Sequence, residues 1–488
     1  MSSTLTPPAD QDTLLQADIE RSLRHPVMFF LTCGAAWLAV ALVLGVIASA
    51  KVHDPDFFGS QACLTYGRVF PAHINAMVYG WGMQAAFAVI LRLMARHSNR
   101  PCADAVMILT AGHLWNLGVA LGIAGILAGH GTGMPWMEFP PYIWPVLLGS
   151  YCVIMMGSFN QCRLNAWRRD AIAQWYILAA MVWFPWIYST ANLLLHCLPG
   201  HPVMAAGINA WYKSALVFLF FTPVALGAAY DLTSQVTGRP VADDALAKLG
   251  FWSLAIIAPW AGMQKLAGAP VPYFLPYLGA AATVLLFIPA CAAAIHIGRM
   301  MGSCREAFVA SPVLKCIAAG ITSLMVLAVA AVFLNLPDST LPLTQFSLYG
   351  YGFDVLALYG FFSFIMFGAG YFIVPRVTGC EWLSHKLIRT HLLFSVCGMI
   401  TICWAAIIGG LQQGMGQENW QLPWLGVAAR TNPYAVAITF AWCLILFSNV
   451  LFILHLILMW RFSDRPGFPH EPGDSTPAMP DHAADHIC

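Results

Sequence analysis

His73 lies about five residues inside an apolar segment, within LTYGRVFPAHINAMVYGWG at residues 64–82. A neutral imidazole is a good axial ligand for haem iron and a common metal ligand. Asn75, Gly80 and Gly82 follow His73, and small residues let a flat macrocycle or a second helix approach closely. The plainer reading is an interhelical hydrogen bond, and the residue types alone leave both open. Lys213, Lys265 and Asp354 are also ionisable and fall in or beside apolar stretches. Charge there is costly unless paired or hydrated. Lys265 and Asp354 are expected to form a buried ion pair; alternatively Lys213 and Lys265 snorkel towards the outer surface. Other imidazole is scarce: residues 202–295 and 297–384 contain no histidine.

These side chains must be positioned by membrane helices. Of 488 residues, 59% are hydrophobic and 9% charged, where a soluble protein carries about a quarter charged. Twelve apolar spans are expected, at residues 28–50, 69–95, 105–128, 140–162, 172–197, 205–233, 246–267, 273–297, 312–335, 348–374, 387–410 and 433–460. Most reach about 20 residues, enough to cross a bilayer core of about 30 Å. The fold class is therefore an all-α membrane protein, a twelve-helix transmembrane bundle with the lipid bilayer as its partner. Its parts are an N-terminal segment (1–27), the helical domain (28–461) and a Pro-rich, disordered tail (462–488).

Lys and Arg collect on alternate connections: Arg92, Arg96 and Arg100; Arg163, Arg168 and Arg169; Arg239 and Lys248; Arg299 and Arg305; Arg376, Lys386 and Arg389; and Arg461. The positive-inside rule then puts both termini in the cytoplasm of a bacterial-type inner membrane. A net charge of +1 gives no reason to expect a nucleic-acid partner. The 14 cysteines include no CxxC pair, and buried cysteine usually behaves as a small hydrophobe.

The segment Gly67, Arg68, Pro71, His73, Asn75 resembles the GR–x–x–P–x–H–x–N helix of the haem-copper oxidase superfamily, especially subunit I of cbb3-type cytochrome c oxidase. NAWY (209–212), Trp260-Ala261-Gly262, PRVTGCEWLSHKLIRTH (375–391) and GGLQQGMG (409–416) follow in the same order. The resemblance covers residues 28–462 and implies the subunit I bundle. It also implies three copper-binding histidines, but Ser214, Gln264 and Lys265 stand at those positions. Two haem-binding histidines are implied on helix ten. Counting back from Pro375-Arg376 puts Phe353 and Val355 there, and a shift of a residue or two puts Tyr349 or Tyr351. No register supplies a histidine between His296 and His385.

A site of hydroxyl, amide and amine would bind copper weakly, so copper is not expected. The remaining cofactor candidate is one b-type haem on His73, with Arg68 beside it. Three functions follow. The first is a membrane subunit of a respiratory-type complex, degenerate at the haem-copper centre and non-catalytic or altered. The second is a haem-binding electron-transfer or terminal oxidase subunit of aerobic respiration, retaining haem at His73. The third is a transporter or proton channel using Lys213, Lys265 and Asp354 as its polar path. The resemblance implies cytochrome c-type subunits as partners on the outer face, where Trp136, Trp420 and Trp424 are candidate contacts.

Overall fold

The computed structural model describes residues 11–160, 172–197, 200–239 and 245–462. Arg163, Arg168, Arg169 and the tail after Phe462 lie outside them. Twelve helices are long and apolar enough to cross a membrane, as the sequence predicts: α1 Leu14–His53, α2 Tyr66–His97, α3 Ala105–Ala128, α4 Pro141–Asn160, α5 Ile172–Cys197, α6 Pro202–Thr237, α7 Ala245–Leu266, α8 Phe274–Gly302, α9 Pro312–Leu334, α10 Leu348–Thr378, α11 His385–Glu418 and α12 Trp424–Arg461. With an even number of crossings, both described chain ends lie at the same end of the bundle, here called the terminal end. The helix containing α1 starts at Gln11, well before the apolar stretch expected from residue 28.

The centre is made of α2, α6 and α10. Their most apolar stretches are 100%, 89% and 100% buried, against 56% or less for the other nine. A helix that is apolar all round belongs inside. Each of the three contains a π-helical turn within its span: Ala76–Gly82 in α2, Leu216–Phe221 in α6 and Leu356–Ser363 in α10. The α10 turn packs against both others. Trp81 donates from Nε1 to the Ser363 hydroxyl at 2.8 Å, and the rings of Phe221 and Phe362 meet at 4.7 Å. Such turns widen a helix locally and occur often at functional sites.

Two of the sequence motifs hold α10 in place. In GGLQQGMG, Gly410 and Gly414 lie on one face of α11. A Cβ on Gly410 would fall 2.4 Å from the Tyr349 nitrogen, and one on Gly414 would strike the Leu343 carbonyl. Only glycine lets the start of α10 lie this close. Between them, Gln413 accepts from the Leu348 amide at 2.8 Å, satisfying an otherwise orphaned helix-start donor. At the other end, Gly379 takes φ +69° to stop α10. Trp382 donates to the Tyr371 carbonyl at 2.8 Å, and the Ser384 hydroxyl caps α11 by accepting from the Leu387 amide.

Candidate functional site

The sequence-predicted residues gather at the end of the bundle opposite the terminal end, where α2, α6 and α10 begin. His73 is fully buried. Its Nδ1 donates to the Ala41 carbonyl of α1 at 2.7 Å, which leaves the lone pair on Nε2. That Nε2 is buried without a hydrogen-bond partner. The ring lies against Gly45 of α1 and meets Trp442 of α12 edge-on at 5.1 Å. Trp442 donates from Nε1 to the Tyr351 hydroxyl at 2.5 Å. Backbone-fixed Nδ1 with a free Nε2 is the arrangement of a haem-ligating imidazole. One axial position therefore fits. For the second, the expected helix-ten residues Phe353 and Val355 offer no lone pair, and of the alternatives one register away, the Tyr351 hydroxyl already accepts from Trp442 and the Tyr349 hydroxyl donates to the Ala330 carbonyl at 3.3 Å. Arg68, the other expected cofactor contact, donates to the Leu127 carbonyl at 3.1 Å and so helps cap the end of α3.

The residues expected at the copper positions, Ser214, Gln264 and Lys265, fit a metal still less. The α-helical part of α7 ends at Ile257, and short 3₁₀ turns follow at Ala258–Trp260 and Met263–Leu266. The bend between them is Gly262, with φ +104°, where a Cβ would fall 2.7 Å from both the Ala210 carbonyl and the Ser214 Cβ. Beyond the bend, Gln264 turns its Oε1 back to accept from the Gly262 amide at 2.9 Å. Lys265 is left exposed. A hydroxyl, an engaged amide and an outward ammonium do not form a copper site. Among the described residues, no group of three or more His, Cys, Asp or Glu is placed to hold a metal ion.

The expected Lys265–Asp354 pair is corrected by the geometry. Nζ of Lys213 contacts Oδ2 of Asp354 at 2.5 Å and lies 5.4 Å over the Trp136 ring. Lys213 wins because it projects from α6 towards α10, whereas the break in α7 carries Lys265 aside. The ends of the pair are informative. Lys213 immediately precedes Ser214, expected at a copper position, and Asp354 stands between Phe353 and Val355, expected at the haem positions.

A polar network missed by sequence reasoning surrounds the pair. The α3–α4 loop enters the bundle and buries Trp136 and Glu138. Trp136 is therefore unavailable as an outer-face contact, while Trp420 and Trp424 are exposed. Asn75 donates to Oε2 of Glu138 at 2.5 Å. Tyr79 donates to the Trp136 carbonyl at 2.8 Å, so the Tyr212 hydroxyl, 2.7 Å away, donates to Tyr79. Asn209 donates to the Pro135 carbonyl at 2.9 Å. Burial raises the Glu138 carboxyl to about 7, against opposing contributions from Asn75, backbone amides and Lys213. The only advance signal was a carboxylate two residues after a tryptophan in a short loop, a pattern with no distinctive period.

With this geometry in hand, comparison with known proteins places the chain. Residues 25–459 match the model of the family described as Cytochrome C and Quinol oxidase polypeptide I. The chain is 22% identical over 406 residues to a cytochrome c oxidase subunit 1 homolog of Agrobacterium tumefaciens (strain T37), covering 78% of this chain and 72% of that protein. It is 21% identical over 401 residues to the cbb3-type cytochrome c oxidase subunit CcoN1 of Stutzerimonas stutzeri, covering 78% and 81%. A solved heme-copper terminal oxidase dimer superposes with a TM-score of 0.68 at 13% identity, over 90% of this chain and 84% of that one. That similarity shows the fold.

Proposed function

The chain belongs to the cytochrome c and quinol oxidase polypeptide I family, and from that premise we propose that it is a membrane subunit of a respiratory-type complex whose haem-copper centre has been replaced by an ion pair. The observation that carries this reading is the 2.5 Å contact of Lys213 with Asp354. It joins the residue next to Ser214 to the residue between Phe353 and Val355, the positions that the resemblance assigns to copper and haem ligands. Without imidazole on either segment, the chain lacks the ligands for oxygen reduction. The protein acts instead as a scaffold within the complex. The distribution of Lys and Arg supports a cytoplasmic terminal end. The opposite face, with Trp420 and Trp424 exposed, is where cytochrome c-type subunits dock.

A second reading is favoured by one observation, the buried, unpartnered Nε2 of His73. His73 would hold a single b-type haem through that atom, and the haem would supply one-electron chemistry. The chain's own contribution is to fix the imidazole tautomer through Ala41.

The test of the first reading is affinity purification from native membranes with oxygen-consumption assays. The expected result is co-purification with other respiratory subunits, with no change in oxygen consumption when Lys213 and Asp354 are replaced together by apolar residues. Oxygen reduction by the isolated chain would overturn it.

A further inference from the structure

At the terminal end, Glu20 of α1, Arg92 and Arg96 of α2, and Phe372 and Arg376 of α10 meet. Arg92 is fully buried, and its Nε and Nη2 donate to the two oxygens of Glu20 at 3.2 and 2.6 Å. Arg96 donates to Glu20 Oε1 at 3.3 Å. The Arg376 guanidinium stacks 3.5 Å from the Phe372 centroid and donates to the Phe372 carbonyl at 2.9 Å. Arg92 lies 5.1 Å from the centroid of that same ring. One ring thus holds two guanidinium groups in a small volume, with Arg96 tied in through Glu20.

The charges do not balance. Arg92 and Arg96 both pair with the carboxylate of Glu20, and Arg376 lies beside them on the Phe372 ring with no carboxylate of its own. The next carboxylate, Asp231, meets His97 at 3.5 Å and Gln235 at 2.5 Å and also lies within electrostatic reach of Arg92 and Arg96, so two carboxylates face three guanidinium groups. Arg376 forms no ion pair with any described carboxylate. Nη1 of Arg92 is buried with no acceptor, and a buried charged donor left unpaired is costly. A surplus of cation beside an orphaned donor calls for an anion with several acceptor oxygens.

We propose that this cluster of Arg92, Arg96 and Arg376 binds a phosphate group, either of an anionic lipid headgroup or of a soluble phosphate. The planar fork of arginine suits phosphate oxygens, and basic pockets between membrane helices at this end suit lipid phosphates. The inference is independent of the reading of the opposite end, because the two sites share no residue.

Arg376→Gln is the variant of choice, since Arg376 is partly exposed and its loss breaks no ion pair. Thermal unfolding is measured in nanodiscs of phosphatidylcholine with and without phosphatidylglycerol, and in detergent with inorganic phosphate against chloride at matched ionic strength. The expected result is a rise in Tm with one of these anions, with half-saturation moved about tenfold or more higher in Arg376→Gln. A rise with phosphatidylglycerol alone assigns a lipid headgroup; a rise with inorganic phosphate assigns a soluble phosphate. No rise with either, or an equal rise in the variant, overturns the site.

Discussion

Glu138 is the residue whose charge changes within an accessible pH range. Its folded value, about 7, lies above its ordinary 4.5. A raised carboxyl favours the folded protein while it is protonated, so this stability is fully present below about pH 4.5 and is lost as pH rises through 7. Glu138→Gln should flatten the fall in Tm between about pH 5 and 7, on the order of 3 kcal/mol at most; an unchanged pH profile would refute the assignment. Lys213 and Asp354 make a second residue-scale prediction. Lys213→Met leaves a half-buried carboxylate unpaired and should cost about 1–3 kcal/mol, below the fully buried case because the pair is partly exposed. The double variant Lys213→Met/Asp354→Leu should recover most of it, as read by thermal unfolding in nanodiscs. Three ionisable residues in apolar surroundings were legible in the sequence. Which lysine meets Asp354 was not, because that depends on how α6, α7 and α10 are set against one another.

The break in α7 decides that setting. Gly262 combines φ +104° with contacts that a Cβ would violate on two sides. Gly262→Ala should therefore destabilise by about 1–3 kcal/mol or more, measured as a lower Tm; a silent substitution would contradict the bend. Helix existence was legible because twenty apolar residues have few alternatives in a membrane. The bend was not, since Pro259 and Gly262 are residue types that uninterrupted membrane helices also tolerate. Nor were the π-helical turns. Each begins two or three residues after His73, Lys213 or Asp354, so the backbone of α2, α6 and α10 keeps a shape associated with functional sites.

Across the whole molecule, the motifs shared with the oxidase family have structural partners. Arg68 caps α3, Asn75 holds Glu138, Asn209 holds the α3–α4 loop, Gln413 caps α10 and Trp382 fixes the α10–α11 turn. Even His73 braces α1 through Ala41. On the proposed reading, Ser214, Gln264, Lys265, Phe353 and Val355 stand at the positions whose work in the family is to bind metal. Under the proposed function, this division explains how a chain about 22% identical to its relatives keeps their fold with a different reaction centre. The scarcity of histidine was readable in the sequence; the Lys213–Asp354 ion pair required the structure. The most direct measurement is copper analysis together with pyridine haemochrome quantification on protein purified from haem- and copper-replete cells. The expected result is no stoichiometric copper and no more than one haem per chain, with any haem lost in His73→Ala. One copper and two haems per chain would contradict the account.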